Sequence, residues 1–148
     1  MGWEVNAKGV KNTESALEDL QNRLDFAAKK ATEQVGLKAV EVMQETIIPV
    51  YNDGHLRADG RTTDSPIGTP PMTRSGALRA NIISVDERIG FGSYVTSVGS
   101  MVEYARALEL GLSNGARYPY VQPASDTMVK QNYAQQIYAS YAKAALRR

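Results

Sequence analysis

The residues best equipped for chemistry lie between Pro49 and Met72, a stretch holding Tyr51, Asp53, His55, Arg57, Asp59, Arg61 and Asp64. His55 is the only histidine of the 148-residue chain. A catalytic base needs a rigid support. His55 is instead surrounded by the breakers Asn52-Asp53-Gly54, Asp59-Gly60, Ser65-Pro66, Gly68 and Pro70-Pro71. It therefore reads as a solvated loop residue. Asp53, Asp59 and Asp64 are conceivable calcium ligands. Their spacing misses the alternating pattern of an EF-hand loop, and Arg57 and Arg61 would repel the ion.

Other candidates fare no better. Gly90-Phe91-Gly92 has no third glycine, lysine or helix start at phosphate-loop spacing, and a turn between strands accounts for it. Glu103 and Glu109, six positions apart on a helix, point in different directions. Solvent or a subunit salt bridge suits them better than acid–base work. Tyr133, Tyr138 and Tyr141 could stack on bases. Tyr133 and Tyr141 fall on a helix stripe and read as core, with Tyr138 to one side. With no cysteine and one histidine, thiolate chemistry, the usual triads and Cys/His metal sites are ruled out. The expectation is a protein that is not an enzyme and takes neither cofactor nor metal.

The chain length suits one domain with its own core. Apolar residues form 43% and charged ones 22%, and the net charge is +1. That balance gives no electrostatic case for non-specific nucleic-acid or membrane binding. Met1-Gly2-Trp3-Glu4-Val5-Asn6 lacks the basic start and apolar run of a signal peptide and the Ser/Thr of a myristoylation signal. No apolar run approaches the ~20 residues of a membrane span. A soluble protein made in a cytoplasm is expected.

Trp3, Val5 and Ala7 alternate with polar residues and suggest a half-buried strand. Ser15 and Glu18 match a capping box. Leu17, Leu20, Leu24, Ala28, Ala31 and Val35 then draw one stripe, continued by Ala39, Val42, Met43 and Thr46. The spacing predicts a helix over 13–47, with a possible bend at Gly36, and Asp19/Arg23 and Asp25/Lys29 as solvent-side pairs. Residues 49–72 read as a mobile arm, unable to bury enough apolar surface to order themselves. Ile82 to Val102 is β-branched and interrupted by Gly90-Phe91-Gly92, which predicts an antiparallel hairpin. A short helix over 103–110 ends at Gly111. Tyr118-Pro119-Tyr120-Val121 is extended. One final helix follows from about Pro123, capped by Ser125 or Asp126, with Val129, Tyr133, Ile137, Tyr141 and Ala144 buried. The fold class is α+β: a small antiparallel sheet carrying a long N-terminal and a C-terminal helix on one face.

All of this pivots on Thr73-Arg74-Ser75-Gly76-Ala77-Leu78-Arg79-Ala80-Asn81-Ile82, a loop-to-core junction. Thr73 can cap a short turn, Gly76 can reverse the backbone, and Leu78 and Ile82 would share a face. The stretch resembles the "T-x-x-G-x-L-R-x-S-I" segment of the HK97 gp10-like family, tail-component or neck proteins of long-tailed bacteriophages. Val98-Gly99-Ser100, with Tyr104-Ala105 and Glu109-Leu110-Gly111, is similar to its "V-G-S … Y-A … E-x-G" segment. Pro119-Tyr120-Val121-Gln122-Pro123-Ala124 resembles its "P-F-L-x-P-A" segment. Asn81 stands where the family has Ser and Tyr120 where it has Phe. Leu108 and Leu110 flank Glu109 in place of the commoner aromatic pairing.

The resemblance implies a structural virion protein, made in the host cytoplasm and carried at the neck or upper tail. It would act as a tail-completion or head–tail joining factor, assembled from copies of itself into a ring, typically a hexamer. Its neighbours would be the connector and the tail tube or terminator, with DNA passing through the lumen without sequence-specific contact. The 49–72 arm would order in that ring. A tail terminator controlling tail length is the nearest alternative. A nucleic-acid-binding module using Arg74, Arg79 and the basic C-terminus is another, and a small hydrolase or nuclease a third.

Overall fold

The computed structural model describes residues 7–49, 67–73 and 76–147. Trp3 to Asn6, the arm residues 50–66, Arg74, Ser75 and Arg148 lie outside them. The architecture is α+β, as the periodicities predict.

Helix α1 runs over Ala7–Thr46, 40 residues and ~60 Å at 1.5 Å per residue. It begins well before the expected start. Ser15 and Glu18 are therefore interior residues, not a capping box, and Ala7 is helical, not part of a strand. Val10 extends the Leu17–Leu24 stripe by seven residues, in keeping with the earlier start, while Trp3 and Val5 of the expected strand lie outside the described residues. The stripe is buried only where other elements reach it. Ala31, Val42, Met43 and Ile47 are enclosed, whereas Leu17 is 56% exposed.

Strands β1 (Ile48–Pro49) and β2 (Met72–Thr73) pair in parallel, Ile48 with Met72 and Pro49 with Thr73. The two ends of the 49–72 stretch are thus clasped rather than loose, a correction to its reading as structureless throughout. Gly68, at φ +88°, adds a tie by donating its N–H to the Arg117 carbonyl at 2.8 Å. Helix α2 is one turn, Ala77–Ala80. Its N-cap is Gly76 at φ +68°, a left-handed conformation natural to glycine, so Thr73 is not the cap.

Strands β3 (Ile82–Gly90) and β4 (Ser93–Ser100) form the expected antiparallel hairpin, turning at Phe91-Gly92. Ile82, Ser84, Asp86 and Arg88 share the inner face with Tyr94, Thr96, Val98 and Ser100, toward α1. Midway along that face the side chains are small, Ser84 and Thr96, where α1 crosses at Gly36 and a Cβ would meet both. The helix continues through Gly36, whose role is close approach rather than interruption.

Helix α3 covers Ala105–Leu110 and stops at Gly111. Gly111 sits at φ 128°, ψ 140°, not the left-handed helical value expected of a C-terminal glycine. The predicted final helix is two: α4 (Val121–Lys130) and α5 (Tyr133–Leu146). Asn132 separates them at φ +53°, a conformation asparagine tolerates better than most residues. The break turns Val129 outward to 73% exposure, against its assignment to the core. Ala144 is also exposed, while Tyr133, Ile137 and Tyr141 are half-buried.

Helix α5 packs on α1 rather than directly on the sheet. Thr32 and Tyr138 hydrogen-bond through their hydroxyls, Arg23 donates to the Ala145 carbonyl at 3.0 Å, and the Lys38 ammonium sits 4.8 Å from the Tyr133 ring centre. Asp19 and Arg23 pair at 3.0 Å as expected. The main core joins Val42, Met43 and Ile47 of α1 to Leu78, Ile82, Ala105, Leu108, Ala116, Tyr118, Tyr120 and Ala124.

Candidate functional site

Two carboxylates organise the molecule, and each is spent on backbone groups of a neighbouring element. Glu109 leaves α3 toward the first turn of α4. Its Oε2 accepts from the backbone N–H of Tyr120 at 2.7 Å and of Val121 at 3.0 Å, and its Oε1 from that of Gln122 at 3.2 Å. A helix start exposes N–H groups that lack intrahelical partners, and a negative charge there is favoured by the helix dipole. Pro123, next in line, has no N–H to satisfy. Ser125 and Asp126 therefore do not cap this helix; a side chain eleven residues upstream of Tyr120 does. Glu109 is thus a helix cap, not the solvated surface acid that its sequence position suggested. Its backbone carbonyl also accepts from the Arg117 guanidinium at 3.1 and 3.2 Å. Burial pushes the neighbouring Tyr120 hydroxyl pKa up, helped by the Glu109 charge.

Asp25, on α1, holds the hairpin tip. It accepts from Gly92 N–H at 2.6 Å and the Tyr94 hydroxyl at 3.0 Å, with Arg88 at 3.4 Å. Arg88 replaces the expected partner Lys29. The Gly92 N–H does most to hold the Asp25 carboxyl below its ordinary pKa, with Tyr94, Arg88 and Lys29 assisting against the opposing effect of burial.

The motif positions that the sequence singled out come together as scaffold. Leu78, Ala105 and Ala124 enter one core with Tyr120. Gly76 supplies the backbone reversal before Leu78, and the Arg79 carbonyl accepts from Gln44 at 3.1 Å. Thr73 lies in the β1–β2 clasp. Gly99 stands opposite Ile83 in the hairpin. Gly111 faces the Arg117 stem, and Pro119 and Pro123 are half-buried. Tyr104 is exposed at the start of α3. Tyr51, Asp53, His55, Arg57, Asp59, Arg61 and Asp64 lie outside the described residues.

The open grooves lie elsewhere. One of about 390 Å³ is lined by Asp25, Lys29, Glu33, Asp86, Arg88 and Tyr94 among others. Of its acids, Asp25 is committed to the hairpin and Glu33 to Lys30 at 2.7 Å, while Asp86 and Glu87 line its sheet side. Another, about 430 Å³, runs between α1 and α5 beside Phe26 and Tyr141. Among the described residues, no three His, Asp or Glu side chains gather as a metal site, and no helix is long and apolar enough to cross a membrane. The Glu109 cap escaped sequence reasoning because its partners are backbone groups of another helix.

No protein-family model matches the chain, nor does any curated protein sequence or solved structure.

Proposed function

We propose that this chain is a structural virion subunit of a tailed bacteriophage or prophage, acting at the neck or upper tail as a tail-completion or head–tail joining factor. Copies assemble into a ring, six-fold in the family it resembles, between the connector and the tail tube. DNA passes through the lumen without sequence-specific contact. One observation carries the reading: Leu78, Ala105, Glu109 and Ala124, drawn from three separate motifs, meet as core and helix cap rather than as a reactive constellation. Residues selected to shape a subunit suit an assembly role. Motifs built around an active centre would instead place polar side chains around a shared cavity.

Electron microscopy of lysates from a phage or prophage lacking this gene tests the proposal. DNA-filled heads beside separate tails of normal length are expected. Tails of uncontrolled length would assign the terminator role instead, and normal virions would overturn the assembly reading.

A further inference from the structure

Helices α4 and α5 have the sequence of one helix. From Ala124 to Leu146 there is neither glycine nor proline, and Val129, Tyr133, Ile137 and Tyr141 recur at four-residue steps across the break. The break rests on a single residue. Asn132, at φ 53° and ψ 31°, is the one non-glycine at positive φ among the described residues. No side chain caps the start of α5, where the first N–H groups lack intrahelical partners. Across the break, Asn132 donates its N–H to the Val129 carbonyl at 3.0 Å, and the Gln136 side-chain amide donates to the Gln131 carbonyl at 2.9 Å. In an unbroken helix the carbonyls of Val129, Lys130 and Gln131 would instead accept from the N–H groups of Tyr133, Ala134 and Gln135.

The two helices are held unequally. The Glu109 carboxylate fixes the start of α4, and Ala124 sits in the main core. Helix α5 has no fully buried residue. It meets α1 through the Thr32–Tyr138 hydroxyl pair, the Arg23 bond to the Ala145 carbonyl and the Lys38 ammonium over the Tyr133 ring. Water can replace polar partners of this kind, so each adds little net stability. Open grooves of about 430 and 260 Å³ also flank Tyr141 between α1 and α5. A contact with few buried apolar groups opens more readily than a core.

We infer that Asn132 is a hinge. Helix α5 is a strap that leaves α1 as a unit while α4 stays in place, and the chain from Val121 to Leu146 then closes into one straight helix ~39 Å long. Straightening exchanges the α1 contacts for backbone pairs at Tyr133, Ala134 and Gln135, and it releases Asn132 from the left-handed conformation. The structure holds the bent form, and the straight form is its minor partner in the free subunit. The hinge stands independently of the virion reading.

Double electron–electron resonance on the full-length chain tests the hinge. The chain has no cysteine, so Ser125→Cys and Ala142→Cys, both at exposed positions, place one spin label on each helix. A straight helix sets these two positions ~26 Å apart, and a bend at Asn132 brings them closer. Asn132→Ala disfavours the left-handed turn and favours helix, so it should move a large share of molecules to the longer distance. Asn132→Gly takes the left-handed turn freely and should keep the shorter one. Tyr138→Phe removes the hydroxyl pair with Thr32 and leaves the break untouched. It should raise the longer-distance share about two- to tenfold over wild type, as the loss of one net hydrogen bond would. Circular dichroism serves as the folding control, and Tyr138→Phe with Asn132→Gly carries the test should Asn132→Ala fail to fold. An Asn132→Ala chain that keeps only the shorter distance would show that packing on α1 sets the break, and would overturn the hinge. A Tyr138→Phe distribution identical to wild type would overturn the strap.

Discussion

A Cβ placed on Gly36 would lie 2.5 Å from Thr96 Oγ1, so α1 and β4 approach as closely as glycine allows. Alanine at 36 gains roughly 1 kcal/mol of helix propensity. The clash forces overpacking, which costs about 1–3 kcal/mol. The contact outweighs propensity here, because Ser84 Cβ stands only 3.1 Å away on the other side and blocks an easy shift. Gly36→Ala is expected to lower stability in urea denaturation. Adding Thr96→Ala should recover part of the loss beyond its own separate effect, since it removes the Oγ1 that the new methyl would meet. An additive or worse double variant would refute the close-approach account.

Glu109 joins α3 to α4 through three backbone N–H groups. Loss of a helix cap costs ~0.5–2 kcal/mol, and Glu109→Ala should fall toward the upper end because three donors are stranded together. Glu109→Gln keeps an acceptor oxygen but loses the charge, so its stability should lie between wild type and alanine. Hydrogen exchange at Tyr120, Val121 and Gln122 should accelerate in the same order. Unchanged exchange at those amides in Glu109→Ala would show that the cap contributes nothing.

Elements with a strong period were legible in the sequence: the long helix, the hairpin with its turn at Phe91-Gly92, and the short helix ending at Gly111. What escaped detection depends on tertiary partners. Asp25 and Lys29 have the spacing of a helix pair, yet the Gly92 N–H and the Tyr94 hydroxyl compete for the carboxylate. Val129 keeps the period of the final stripe, but Asn132 interrupts the helix and takes Val129 off the buried face. The same limit applies to the motif residues. Their spacing suggested a resemblance, whereas the reason for Glu109 became apparent only with α3 set against the start of α4.

Leu78 and Val129 provide a direct contrast between apparent and actual core. Leu78 is 1% exposed and seated among Ile82, Ala105 and Tyr120. Leu78→Ala should cost about 2–5 kcal/mol, transfer and cavity combined. Val129→Ala should fall within about 0.5 kcal/mol of wild type, as surface substitutions do. Thermal and chemical denaturation of the two variants side by side checks both values. Equal losses would mean that α4 is packed differently from the arrangement described.

The Asp25 latch carries a pH dependence of fixed sign. Its carboxyl is held below the ordinary aspartate value, so the native state binds the proton less readily than the unfolded chain. The stabilisation is complete above the unfolded value of about 3.9 and is lost as pH falls through the lowered native one. Lys29, Glu33, Asp86, Glu87 and Arg88 line the surrounding groove. Their combined background is separated from the latch by Asp25→Asn, which keeps the shape and removes the titration. Wild type should lose protection at Gly92 and Tyr94 when taken from pH 5 to below the ordinary aspartate range, while the asparagine variant starts less protected and changes less. Identical acid profiles for the two proteins would assign the pH dependence to the neighbouring acids and leave Asp25 without a latching role.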